Sequence, residues 1–357
     1  MQLGTDSAWI RVECPRPSAS HFAAAEKRQQ VLTKPPGSLG ILETLAIRLA
    51  AMQGRDKPRA DVARIVLFAG DHGVTAQSIS AYPSAVTVEM LRNFAHGGAA
   101  IAVLARELNA SLDVVDVGTL APSEMEGVVA DKTRRGTRDF AIEPAMTQGE
   151  LDAALAAGQR AVARAIAPGA DVLILGEMGI GNTTSAAAVA AAVLGVRAAD
   201  IVGAGTGLDA EGVNHKAGVI EAALALHRLD SARADAMQAL LAVGGFEIAA
   251  LAGAMIASAQ ARVPVLVDGF IVTAAALAAV GINPSCAPWL IYSHRSMERG
   301  HRLLLDALEA EPILDLKLRL GEGSGAAVAL PLLRLACALH SGMATFDEAQ
   351  ISGPGEL

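Results

Sequence analysis

What this chain lacks narrows its function first. Aromatic residues are only 3% of its 357 positions and no basic stripe is present, so it has neither the stacking platform nor the charged track that holds a nucleic acid. A formal net charge of −8 agrees: any anion must be gripped locally. Cysteine is scarce, and Cys14, Cys286 and Cys337 are odd in number and widely spaced. That pattern suits neither a disulfide framework nor a zinc site and points to a reducing compartment. Long apolar runs are missing too. The stretches near 186–196 and 270–282 are Ala-rich and too short to span a bilayer, and residues 1–20 carry charges and prolines where a signal peptide has its apolar centre. A soluble cytoplasmic protein is expected.

Charge itself is sparse. Charged residues make up 18% of the chain against 52% hydrophobic residues and 35 glycines, so an unusual share must be buried. Either a parallel sheet covered on both faces or a subunit interface meets that need, and an oligomer is expected.

Apolar β-branched runs alternate with Ala- and Leu-rich helical patterns, and the runs end in small or polar clusters. Residues 64–69 lead to Gly70-Asp71-His72-Gly73, 112–117 to Gly118-Thr119, 172–175 to a glycine turn, and 201–202 to the 203–207 cluster. Further on, 263–267 lead to Asp268-Gly269, 289–292 to Ser293-His294-Arg295, and 316–320 to Gly321-Glu322-Gly323. Such βα repetition predicts an α/β fold with an open, mostly parallel sheet and ligand sites beyond the carboxyl ends of its strands. The first sixty residues hold only helical patterns, around 23–32 and 38–52, and 332–340 reads as another helix with Pro331 in its first turn. A small helical lobe built from 1–62 and 331–357 is therefore expected beside an α/β domain of 63–330. Residues 122–147 read as a long excursion or surface hairpin, with the basic run Lys132, Arg134, Arg135 and Arg138 a solvated face.

The most informative stretch is 171–190, where an apolar strand breaks into Gly176, Gly179 and Gly181 and restarts as an Ala-rich helix near Ser185. Bare backbone at a helix start, followed by Asn182, Thr183 and Thr184, suits a phosphate. The loop lacks the lysine of a P-loop and the spacing of a dinucleotide fingerprint. A monophosphate cradle and a plain tight βα turn both remain open. Glu322, between two glycines at a helix start, reads either as a general base with an elevated pKa or as an acid favoured by the helix dipole. Lys216 follows the 203–207 turn and reads as a phosphate partner or a surface lysine. Glu177 suits ribose hydroxyls or loop architecture. Asp71-His72 reads as a structural pair or a catalytic pair, and less readily as half a metal site, since no second His or carboxylate lies at ligand spacing.

Taken together, Thr33-Lys34-Pro35-Pro36-Gly37-Ser38-Leu39-Gly40, Gly70-Asp71-His72-Gly73-Val74, Asn93-Phe94 with Gly97-Gly98-Ala99-Ala100-Ile101, the 176–184 turn, Ser293-His294-Arg295-Ser296 and Gly321-Glu322-Gly323-Ser324-Gly325 resemble the nicotinate-nucleotide:dimethylbenzimidazole phosphoribosyltransferases. The match runs from about residue 30 almost to the end of the chain. It implies a Rossmann-like domain with a small helical lobe in a homodimer, and a reaction passing the phosphoribosyl group of nicotinate mononucleotide to a benzimidazole for the lower ligand of cobalamin, with no cofactor and no metal.

By the same resemblance Glu322 is the base, and phosphate and ribose fall to Glu177, Gly179, Gly181, Asn182, Thr183, Gly203, Gly205, Lys216, Ser293 and Ser296. The azole pocket would involve Ser80, Glu89 and Leu320. Glu89 stands where the family commonly has glutamine, which leaves the azole preference open. The rivals are a Rossmann-type NAD-dependent dehydrogenase, for which Asp200 has a suggestive spacing from Gly179, and a non-catalytic nucleotide-binding sensor that uses the cradle without Glu322.

Overall fold

The computed structural model describes residues 7–122, 124–205, 207–230 and 233–352, so Thr206 of the 203–207 turn and the two chain ends lie outside it. Among the described residues six strands form: β1 (Ala63–Gly70), β2 (Ser111–Gly118), β3 (Val128–Ala130), β4 (Val172–Met178), β5 (Val265–Val267) and β6 (Leu290–Tyr292). All pair in parallel, in the order β3-β2-β1-β4-β5-β6. The chain winds outward from β1 to β3, then returns to β4 and winds the other way. Strand order reverses between β1 and β4, the point beyond whose carboxyl ends open α/β sheets hold their ligands.

Helices α1 (Ala19–Val31) and α2 (Ile41–Gln53) precede the sheet, and α3 (Ala85–Ala95) and α4 (Ala100–Glu107) connect β1 to β2. The return to β4 runs through α5 (Gln148–Ile166). Between β4 and β5 lie α6 (Asn182–Leu194), α7 (Ala198–Ile201), α8 (Ala210–Leu226), α9 (Ala236–Val243) and α10 (Phe246–Gln260). The remainder is α11 (Phe270–Ile282), α12 (His301–Ala307), α13 (Ser324–Gly342) and α14 (Phe346–Ala349).

Central strand β1 packs against α3, α5 and α10, and β4 against α10, α11 and α13. Their residues are almost all buried, which is why both read as continuous apolar runs without alternation. Helices α5 and α10 cross at backbone contact: a Cβ on Gly158 would overlap the Ala250 carbonyl, and one on Gly253 the Leu155 carbonyl. Nearly every residue of α10 and α11 is buried within this one chain. Much of the apolar excess is thus consumed inside the fold, while the exposed large apolar side chains, such as Phe22, Tyr82, Ile142 and Leu320, are spread along the chain.

Four sequence expectations change. Residues 201–202 form no strand: Ile201 ends α7 and Val202 is its extended cap. Residues 316–320 also form none, the segment being tied down instead by Arg295 N–H to the Leu314 carbonyl and Met297 N–H to the Leu318 carbonyl. Of the two readings of 122–147, a long excursion or a surface hairpin, the hairpin does not form: the segment carries the short edge strand β3, which adds to β2 in parallel. Finally, α13 is one continuous helix from Ser324, so Pro331 lies well inside it and beyond the first turn.

Helix α13 has the length and apolar composition of a membrane span, a run that the sequence reading passed over, and half of it is buried. It packs on α2, α4 and β4, so it is a core helix. Around its far end α1 packs on α2, Arg28 donates to the carbonyls of His340 and Met343 at 2.7 and 3.1 Å, and Leu32 bridges Thr345.

Candidate active site

The crevice at the strand switch is floored by Gly70-Asp71-His72 after β1 and by Glu177 at the end of β4. Into it comes the loop before α13. Gly321, Glu322 and Gly323 have φ of 88, 65 and 87°, three successive left-handed residues, of which only the middle one carries a side chain. This sharp reversal lays the loop directly on β4, where a Cβ on Gly176 would overlap the Glu322 carbonyl. Glycine at 176 is required for that approach. Left-handed backbone is unfavourable for a glutamate, and the surroundings hold it there.

Glu322 is buried, and its Oε2 accepts from the Ile101 N–H at 3.2 Å, at the start of α4. Burial raises its pKa, the Ile101 N–H opposes the rise, and the Asp268 charge adds to it. Beside it Glu177 accepts from the Glu322 N–H and from Asn182 Nδ2. Burial, with the charges of Asp268 and Glu247, pushes Glu177 up to about 8. The crevice therefore holds several carboxyl groups that bind protons more tightly than in water. Such a site accepts a proton readily and favours a cation.

Next along the rim is the Gly179–Ser185 turn. Gly181 is the N-cap of α6 at φ 96°, and no side chain caps the helix. Much of the turn is already satisfied: the N–H groups of Ile180, Asn182, Thr184 and Ser185 reach Thr87 Oγ1, the Gly179 carbonyl and the Gly181 carbonyl. Beside Gly181 stand Thr183 and Lys216. Lys216 is 1% exposed and donates from Nζ to Thr183 Oγ1 at 2.6 Å. Burial lowers its pKa to about 8, with Glu298 pulling the other way. The surface-lysine reading of Lys216 is thus excluded. Gly205 lies over this pair, since a Cβ there would sit 3.3 Å from Lys216 Nζ and 2.9 Å from Thr183 Oγ1; Gly203 lies against Glu298.

The remaining expected residues are less convergent. Ser293 donates its hydroxyl to the Val267 carbonyl at 2.6 Å, and Ser296 Oγ accepts from the Glu298 N–H at 3.3 Å; both hydroxyls serve the loop after β6. Ser80 Oγ accepts from the Tyr82 N–H at 3.2 Å, while Glu89 on α3 and Leu320 are exposed.

Three participants escaped the sequence reading. Glu247 at the start of α10 is fully buried and pairs with His72 Nε2 at 2.9 Å, while His72 Nδ1 meets Ser185 Oγ at 2.9 Å. Burial works against a charged His72, but Glu247 and Asp71 raise its pKa overall. Asp71 and His72 do not bond each other: His72 pairs with Glu247 and Ser185, while Asp71 Oδ2 accepts from the Leu120 N–H at 2.8 Å; for Glu247, an acid in an otherwise apolar helix was the available signal. Thr87 ties α3 to the turn by accepting from Ile180. Asp268 caps α13 from the end of β5. Among the described residues no group of three or more His, Cys, Asp or Glu is placed to hold a metal ion.

Fold and rim define a doubly wound α/β protein with a buried lysine–threonine pair on the same rim as carboxyls of raised proton affinity. A family model described as phosphoribosyltransferase matches residues 14–351. The chain is 65% identical over 345 residues to the nicotinate-nucleotide–dimethylbenzimidazole phosphoribosyltransferase of Bradyrhizobium sp. strain BTAi1, covering 97% of this chain and 98% of that one. It is 58% identical to the enzyme of the same name from Pseudomonas putida KT2440, again over 97% and 98% of the two chains. A crystal structure of the Thermus thermophilus enzyme superposes with a TM-score of 0.89 at 44% identity, covering 94% of this chain and 99% of that one. The chain belongs to the family of nicotinate-nucleotide–dimethylbenzimidazole phosphoribosyltransferases. The dehydrogenase reading is not favoured, and Asp200, on which it leaned, lies in α7 with no strand before or after it in the 198–202 segment.

Proposed function

We propose that the crevice transfers the 5-phosphoribosyl group of nicotinate mononucleotide to 5,6-dimethylbenzimidazole or a related azole, with Glu322 as the base. The products are α-ribazole 5′-phosphate, for the lower ligand of cobalamin, and nicotinate. One observation carries the assignment of the base: a buried carboxyl of raised proton affinity is fixed by a left-handed backbone at the strand switch, next to the Glu177–Asn182 and Thr183–Lys216 contacts.

The pyridinium nitrogen of the donor is already cationic, so the C1′–N bond breaks without a general acid. Nicotinate leaves with the bonding pair as one azole nitrogen attacks C1′ from the opposite face. The proton on the second azole nitrogen becomes acidic and passes to Glu322. Lys216, Thr183 and the Gly181 turn would hold the 5′-phosphate, with Gly203 and Gly205 closing over them and Ser293 and Ser296 shaping the neighbouring loop. Binding the phosphate away from the reacting bond aligns the ribose for attack. Glu177 and Asn182 would face the ribose, and the buried carboxyls suit the positive charge that develops on it. Ser80, Glu89 and Leu320 would border the azole. We further infer a cytoplasmic homodimer without cofactor or metal.

The test is Glu322→Gln, which keeps the shape and removes the base. Turnover of nicotinate mononucleotide with dimethylbenzimidazole, followed by mass spectrometry of the products, is expected to fall by a factor of about 10²–10⁴ while nucleotide binding survives. Near-normal turnover would exclude Glu322 as the base. A wild-type protein that binds the nucleotide and forms no product would return the sensor reading.

A further inference from the structure

Asp268 lies one residue past β5, fully buried, and uses both carboxylate oxygens on the base loop. Oδ2 accepts from the Gly323 N–H at 3.1 Å and Oδ1 from the Ala326 N–H at 2.8 Å. These donors follow Glu322 directly and open α13, so one rigid side chain spans the left-handed turn and the first turn of the helix. Behind it stands His294, whose Nε2 is 3.5 Å from Oδ1, and whose ring leaves no room for a Cβ on Gly325. Nothing in the proposed reaction requires a second buried acid here. A neutral cap would satisfy one of the two N–H groups at lower desolvation cost.

We propose that Asp268 is a positioning residue for Glu322: it clamps the base loop through two backbone donors and sets a like charge beside the base. The inference rests on Glu322 being that base. The groups facing Glu322 are the Ile101 N–H from α4, Glu177 from β4 and Asp268 from β5, with His294 on the far side of Asp268. Of these, the Ile101 N–H favours the ionised base, whereas Asp268 disfavours it and so makes it more basic. Clamp and charge thus act on the same carboxyl by different routes.

Asp268→Asn separates them from a general structural role. It removes the charge and one acceptor while keeping the volume. Expected are a fall in kcat of about 10–100-fold, a KM for nicotinate mononucleotide within about threefold of the parent, and an acid limb of the pH–kcat profile displaced to lower pH, because the base has lost a like charge. In a Glu322→Gln background, where there is no base to position, the same substitution should change residual turnover by less than about threefold. Equal losses in both backgrounds, an unmoved acid limb, or a loss confined to KM would overturn the proposal. If Asp268→Asn does not fold, Asp268→Ser, which keeps one acceptor without charge, answers the same questions. An active Asp268→Asn beside an inactive Glu322→Gln defeats only the role of Asp268, whereas an active Glu322→Gln defeats the base itself.

Discussion

Glu177 and Glu322 share a crevice yet carry different consequences. With its pKa raised from 4.5 to about 8, Glu177 binds its proton more tightly folded than unfolded. From this group, stability is fully present below the unfolded value and is lost as pH rises toward about 8, because the native state must then ionise a buried acid or stay protonated against the solvent. Replacing it by an uncharged isostere removes that dependence. Urea unfolding of Glu177→Gln should show less loss of stability than the parent on going from pH 4.5 to about 8; an equal loss would mean that other groups set the slope. For Glu322 the raised pKa acts on rate. The base works only when ionised, so turnover falls as acid is added, and the limb belongs to this carboxyl only if it stays in place when azoles of different basicity are used. The acid itself was legible in the sequence from its flanking glycines, but its elevated pKa was reached from an assumed apolar setting. Its actual sources, burial as the loop closes onto β4 and then the Asp268 charge, are contacts between residues far apart in the chain.

At the scale of elements, the turn into α6 shows how local pattern and tertiary context divide the work. The strand, the glycines and the Ala-rich helix were all readable, but the helix begins at Asn182 rather than near Ser185. Gly181 takes the left-handed cap and Asn182 is drawn inward to Glu177, a partner that short-range sequence signals do not reveal. Gly181→Val meets two obstacles. A φ of 96° is strained for any L side chain, and its Cβ would stand 2.9 Å from Thr75 Cγ2 and 3.3 Å from His72 Cβ. The left-handed strain, of the order of 1–2 kcal/mol, weighs on stability, and relieving it together with the contacts displaces the turn, so calorimetry on the folded variant should show nicotinate mononucleotide affinity down by about tenfold or more and azole affinity much less affected. Unchanged nucleotide affinity would remove the turn from the phosphate site. The false strands at 201–202 and 316–320 have a common origin: short apolar runs bounded by glycines also describe helix ends and packed loops, and only the availability of a neighbouring edge tells them apart.

At the scale of the molecule, we infer that residues 1–62 and 331–357 form a helical lobe and that two copies of the chain associate. Packing of α1 and α2 with the end of α13 supports the lobe. Helices α10 and α11 absorb much of the apolar excess internally, so composition does not by itself require a second copy. Light scattering at micromolar concentration should nevertheless report twice the mass of one chain; a monodisperse monomer would leave the internal core as the full explanation of that composition.

Periodicity, glycine punctuation and ordered motifs are properties of neighbouring residues, so the α/β class, a parallel sheet, the rim positions of Gly176–Thr184 and Glu322, and the family could all be read from the chain alone. Strand order, the pairing of β3, the burial of Lys216 and the ring of Asp268, Glu247 and Glu177 around the crevice were decided only by the tertiary structure. Those features depend on which segments share a sheet edge and on how much water is excluded between groups tens to hundreds of residues apart. Desolvation and charge proximity have no signature in local sequence, and here they push the Glu177 carboxyl up to about 8 and the Lys216 ammonium down to about 8.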